Sequence, residues 1–93
     1  MQIVKSTKFN NQFKKVLYFI ALDNKSNAKN FKNELIHKIN NLINMPFKFR
    51  QSIYFQDENI RDLIFKGYTI VYRVDAIKEI ITIIGIKKCQ DDL

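Results

Sequence analysis

The sequence predicts an α+β domain of two layers, in which an N-terminal strand and an antiparallel helical hairpin pack on a mainly antiparallel sheet of about four strands. Three observations predict it. Apolar residues recur at helical spacing through the first half of the chain, alternating or continuous apolar runs fill the last third, and short polar, Gly or Pro breaks separate them. Helices grouped ahead of the strands, rather than alternating with them, give a sheet covered on one face.

The elements follow in order. Gln2 to Lys5 is a short extended start with Ile3 and Val4 apolar, and Ser6-Thr7 stands where a cap is needed. Phe9, Phe13, Val16, Leu17, Ile20 and Ala21 form the buried stripe of a first helix, with Lys14, Lys15 and Tyr18 on other faces. Asp23-Asn24-Lys25 breaks it. Ser26 is the expected N-cap of a second helix, whose stripe is Ala28, Phe31, Leu35, Ile39 and Leu42 and which ends by Pro46. Glu34 precedes Lys38 by four residues, the orientation that favours an ion pair within a helix. So short a joint predicts a helical hairpin.

Phe47 to Phe55 then mixes basic and aromatic residues, and Gln56-Asp-Glu-Asn resets the chain as a turn. A strand through Asn59 to Phe65 is followed by a Lys66-Gly67 turn. Tyr68, Ile70, Tyr72 and Val74 alternate with Thr69, Val71 and Arg73, the period of a strand. Ile80 to Ile86 is interrupted only by Thr82 and Gly85, which predicts a strand buried on both faces, and Asp75 to Lys78 makes the hairpin before it.

Ninety-three residues make one domain, spanning 1–93, with room for a single core. No apolar run reaches the roughly 18 residues of a membrane span, and Met1 to Lys5 leads into structure rather than a signal peptide, so a cytoplasmic protein is expected. Cys89 has no Cys or His neighbour at metal-ligand spacing and is read as a reduced bystander; no metal site and no cofactor are expected. His37, the only histidine, falls on the polar side of the second helix and is read as solvated.

Net charge is +7, and it is uneven: residues 1–50 hold ten Lys/Arg against Asp23 and Glu34, while residues 51–93 hold six against seven acids. Such a balance favours anionic partners, whether nucleic acid or an acidic protein segment. An AT-rich genome, which writes many Lys, Asn and Ile codons, explains the charge equally well. Arg61, Arg73, Lys87 and Lys88, at the ends of three strands expected to be neighbours, are the residues that would gather cations onto one region. Their plainer role is ion pairing with Asp62, Asp75 or Glu79. Tyr68 and Tyr72 offer rings for stacking bases, although alternating tyrosines more often pack a sheet.

The run Ile60-Arg-Asp-Leu, then Gly67-Tyr-Thr-Ile-Val-Tyr-Arg-Val74, then an Ile-rich strand with the basic stub Lys87-Lys88 resembles the C-terminal half of the RelE/ParE family, the toxins of bacterial type II toxin–antitoxin pairs. The helical hairpin and first strand also lie where that family has them, so the resemblance spans nearly the whole chain. It implies the two-layer fold already expected, growth arrest as the activity, and an acidic antitoxin as partner, here contacting Phe13, Leu17, Tyr18 and Phe31. Two branches differ in target. In the RelE-like branch, ribosome-dependent mRNA endoribonucleases, Arg61, Arg73, Lys87 and Lys88 would stabilise charge on the scissile phosphate. That branch commonly ends the last strand with His, Tyr or an Arg-rich stub and a Tyr, whereas no Tyr or His follows residue 72 here. The ParE-like branch inhibits DNA gyrase by protein contact and needs no catalytic tail. The resemblance therefore implies a gyrase inhibitor with Arg61, Tyr72, Arg73, Lys87 and Lys88 as target-binding residues; a member that only binds its partner, without toxicity, is the third reading.

Overall fold

Ser6 ends the first strand and begins the first helix with one side chain. Its hydroxyl oxygen accepts the Phe9 N–H at 3.0 Å and donates to the Ile84 carbonyl at 2.9 Å, tying the helix start to the sheet. In the computed structural model, which describes residues 1–89, β1 (Gln2–Lys5) leads through this cap into α1 (Thr7–Asp23). Residues 90–93, which complete the expected C-terminal stub, lie outside the described residues.

Asn24 serves both helices. Its N–H donates to the Ile20 carbonyl at 3.0 Å as the C-cap of α1, and its Oδ1 accepts the Asn27 N–H at 3.1 Å as the N-cap of α2 (Lys25–Asn40). The expected cap Ser26 is thus already inside the second helix, because extended backbone at one residue is enough to reverse the chain. A 3-10 turn, Asn41–Ile43, closes α2 before Pro46. Glu34 does not pair with Lys38: its carboxylate meets Lys66 at 3.0 Å, and the Lys38 ammonium lies over the Phe65 ring.

The strands β2 (Arg50–Gln51), β3 (Ile60–Phe65), β4 (Tyr68–Asp75) and β5 (Ile80–Lys88) complete a five-stranded sheet of order β1-β5-β4-β3-β2. The expected count of about four falls one short, since β2 has only two polar residues and no apolar alternation to announce it. All pairings are antiparallel except β1 with β5, so the Ile-rich β5 lies inside the sheet. Lys66 and Gly67 turn β3 into β4 with φ of 47° and 83°, a two-residue turn that needs left-handed backbone at both positions.

Facing residues in antiparallel strands share a side of the sheet. Leu63, Ile70, Tyr72, Val74, Ile81, Ile83 and Ile86 project under the helices and meet Phe9, Phe13, Phe31, Leu35, Ile39 and Leu42 in one buried cluster. A bulge between Val71 and Tyr72, where β5 carries one extra residue, lets Ile83 and Ile86 both point inward. Beyond Lys5 no strand among the described residues lies beside the edge of β5, and Gln12 of α1 takes that place: its Oε1 accepts the Ile86 N–H at 3.0 Å.

Candidate functional site

The four cations expected on one region fall on both faces of the sheet. Arg61 pairs with Tyr72 and Lys88 with Tyr68 on the helix-covered face, while Arg73 pairs with Ile60 and Thr82 and Lys87 with Thr69 on the other. On that second face Arg73 and Lys87 are themselves separated by four residues of β4, about 13 Å. The expected cluster therefore does not form, because adjacent strand residues such as Tyr72 and Arg73 point to opposite sides.

Each cation has its own setting. The Arg61 guanidinium donates to the carbonyls of Glu58 at 2.8 Å and Phe49 at 3.1 Å and lies 4.9 Å from the Phe47 ring centroid, so it fastens the 47–59 segment to the sheet. Arg73 is exposed, and among the described residues it makes none of the expected pairs; Asp57, Asn59 and Asp75 line the shallow cleft around it. Asp62 pairs instead with Arg50, at 3.6 Å. Lys87 sits over the Tyr54 ring, 4.0 Å from its centroid, and Lys88 over Phe19, at 5.9 Å.

Tyr72 is not available as a contact residue. It is fully buried, and its hydroxyl donates to the Pro46 carbonyl at 2.7 Å. Burial pushes the phenol up to about 12, against the opposing pull of Arg61. Tyr68 is half-buried edge-on to Phe31. Both tyrosines pack the sheet. His37 is exposed on α2, and no set of three or more His, Cys, Asp or Glu residues among those described is grouped to hold a metal ion.

Of the expected antitoxin contacts, Phe13 and Phe31 are core residues, 8% and 6% exposed, and Leu17 is partly buried against the same core. Phe13 stacks on Phe9 and Phe31 packs on Phe65. Their helical spacing marked the stripe that faces the sheet, which is why they are covered. Tyr18 is open at 70%, and beside it stand two residues the sequence reading passed over, Phe19 at 62% and Leu22 at 68%. The signal was present: apolar residues off the buried stripe, two of them four apart on one helix face. Phe19 adjoins Ile20 and Leu22 on one side and, on the other, Val16, Tyr68 and Ile86 at the end of β5, where Lys15, Lys87 and Lys88 edge the surface.

A second missed region lies on the far sheet face, where residues 52–55 fold back over β3 and β4. The Ser52 N–H donates to the Ile60 carbonyl at 2.7 Å, the Ile53 N–H to Asp62 Oδ2 at 3.1 Å, and the Tyr54 N–H to Ser52 Oγ at 3.2 Å. Tyr54 and Phe55 then wall a cleft of about 200 Å³ with Lys8, Gln12, Val71, Ile84, Gly85, Ile86 and Lys87.

Two helices on one face of a mainly antiparallel sheet, with a basic surface and open apolar side chains on the first helix, define a small two-layer α+β domain. The model of the family described as ParE toxin of type II toxin–antitoxin system, parDE, matches residues 3–93, and the chain belongs to that family. A chain of the solved structure described as the chromosomal ParDE TA system from P. aeruginosa superposes with a TM-score of 0.75 at 13% identity, covering 97% of both chains. It shares the fold. No curated protein matches the sequence.

Proposed function

We propose that this protein is a growth-arresting toxin that binds and inhibits DNA gyrase in the cytoplasm and is neutralised by an acidic cognate antitoxin. The observation that carries the antitoxin half is the exposure of Tyr18, Phe19 and Leu22 on α1, each above 60%, with Lys15, Lys87 and Lys88 edging the surface around Phe19. Exposed apolar side chains in such a cluster mark a partner surface, and the basic surround selects an acidic partner over a second copy of this +7 chain. An amphipathic or extended antitoxin segment would cover the strip and the neighbouring end of β5.

Family membership supports the gyrase half, as does the absence of ion pairing at exposed Arg73 among the described residues. Arg73 and Lys87 present separate cations on the open sheet face, an arrangement suited to a broad protein contact. Arg61 acts from behind by holding the 47–59 segment, and Tyr72 supports the sheet beneath it. The dispersal of these cations over two faces favours binding over phosphate-bond cleavage, which needs charge focused on one atom.

A supercoiling assay with purified gyrase tests this reading. The protein should block supercoiling, Arg73→Ala should weaken the block, and the product of an adjacent small acidic reading frame should restore activity by binding the toxin. Undisturbed supercoiling at saturating protein would reject gyrase as the target, and failure of the neighbouring product to bind would reject the pairing.

A further inference from the structure

The cleft under Tyr54 and Phe55 is built at a cost that packing alone does not explain. Asp62 is 1% exposed, only one of its oxygens is bonded, and its Oδ1 has no hydrogen-bond partner among the described residues. An orphaned buried carboxylate oxygen is unfavourable by about 1–3 kcal/mol, while the other oxygen meets Arg50 at 3.6 Å and accepts the Ile53 N–H, which places the loop that follows. Buried Ser52 does the same for Tyr54. These contacts leave Tyr54 at 41% and Phe55 at 45% exposure, standing over an apolar floor of Val71 and Ile84.

The floor is open because residue 85 is glycine. A Cβ there would come within 2.8 Å of Gln12 Oε1, so a bare backbone lets the carboxamide line the cleft without shifting. Two ammonium groups, Lys8 and Lys87, line the same cleft with Gln12. Apolar walls with two aromatic side chains, one carboxamide and two cations are complementary to a flat ring that carries a hydrogen-bonding edge and an anionic group. At about 200 Å³ the space is below the 300–1,000 Å³ of drug-sized sites, so it suits one ring system and not a paired duplex.

We propose that this cleft binds a single nucleotide unit, with the base against Phe55 and the Tyr54 ring, from which the Lys87 ammonium moves to meet the phosphate beside Lys8. Free mononucleotide and an unpaired residue of single-stranded nucleic acid share this chemistry. The inference goes beyond the toxin reading and does not depend on gyrase or an antitoxin.

The test is anisotropy of a fluorescent oligothymidylate titrated with the purified protein at low salt. Tyr54→Ala should weaken binding by about tenfold or more, the loss of one stacked base, while Tyr54→Phe keeps it. Lys8→Ala should weaken binding and lower the salt dependence by about one counterion, whereas Lys29→Ala, which removes the same charge from exposed α2, should do neither. Displacement of the oligomer by thymidine monophosphate would assign the free nucleotide as ligand, and failure of displacement would assign the strand; either result upholds the cleft. No binding at low salt overturns the proposal. So does equal affinity of wild type and Tyr54→Ala, which would trace binding to general charge. If Tyr54→Ala loses gyrase inhibition while no oligomer binds, the cleft is a protein contact and the nucleotide assignment falls.

Discussion

The Tyr72 hydroxyl donates to the Pro46 carbonyl at 2.7 Å, joining the centre of the sheet to the chain that leaves the second helix. The phenol is pushed up to about 12 from its ordinary 10.0, chiefly by burial. Below about pH 10 it is neutral in folded and unfolded chains alike, so its contribution is complete there. Between 10 and 12 the unfolded chain ionises first, and stability drains away as pH rises. Tyr72→Phe should cost about 1 kcal/mol near neutrality, and that deficit should shrink above pH 10. Urea midpoints of both proteins along an alkaline series check this, as does tyrosinate absorbance, in which one of the four tyrosines should ionise late.

Gly85 and Gln12 form a coupled pair. A methyl group at position 85 would collide with the oxygen that accepts the Ile86 N–H. Gly85→Ala should destabilise the protein by about 1–2 kcal/mol. In a Gln12→Ala background the same substitution should cost about 1 kcal/mol less, since its obstacle is gone. Denaturant unfolding of the four proteins gives the coupling directly.

Glu79 holds φ at 55° in the β4–β5 hairpin without being glycine. Its backbone carbonyl accepts the Gln2 N–H at 2.9 Å, a bond that glycine would retain. Glu79→Gly should relieve left-handed strain and stabilise by about 0.5–1 kcal/mol. The melting temperature of so small a domain should rise by roughly 2–8 °C.

Phe19 and Leu22 stand clear of the core, so Phe19→Glu and Leu22→Glu should alter stability by no more than about 0.5 kcal/mol. Affinity for the antitoxin should fall by about 2 kcal/mol, roughly thirtyfold, for either one. Paired calorimetric titration and thermal melts separate the two effects.

The helices were legible because Phe9, Phe13, Phe31, Leu35 and Ile39 repeat at the spacing of a face that is indeed buried. The same stripe supplied Phe13 and Phe31 as expected antitoxin contacts, and the sheet covers both, since a stripe regular enough to be noticed is the one that packs. The division of the cations was also within reach. A two-residue turn at Lys66-Gly67 pairs Phe65 with Tyr68 and, counting outward, Arg61 with Tyr72 and Ile60 with Arg73, which sets the two arginines on opposite faces. Local pattern did not reveal the extra residue in β5, which changes the facing of everything after Ile83, nor the fold-back of residues 52–55 onto a buried Asp62. Both depend on contacts distant in sequence.

The most direct test of the central claim is to induce the protein alone in bacteria and pulse-label DNA and protein synthesis over the following minutes. Gyrase inhibition predicts that thymidine incorporation fails first while methionine incorporation continues. Early loss of methionine incorporation, or growth without arrest, would contradict it.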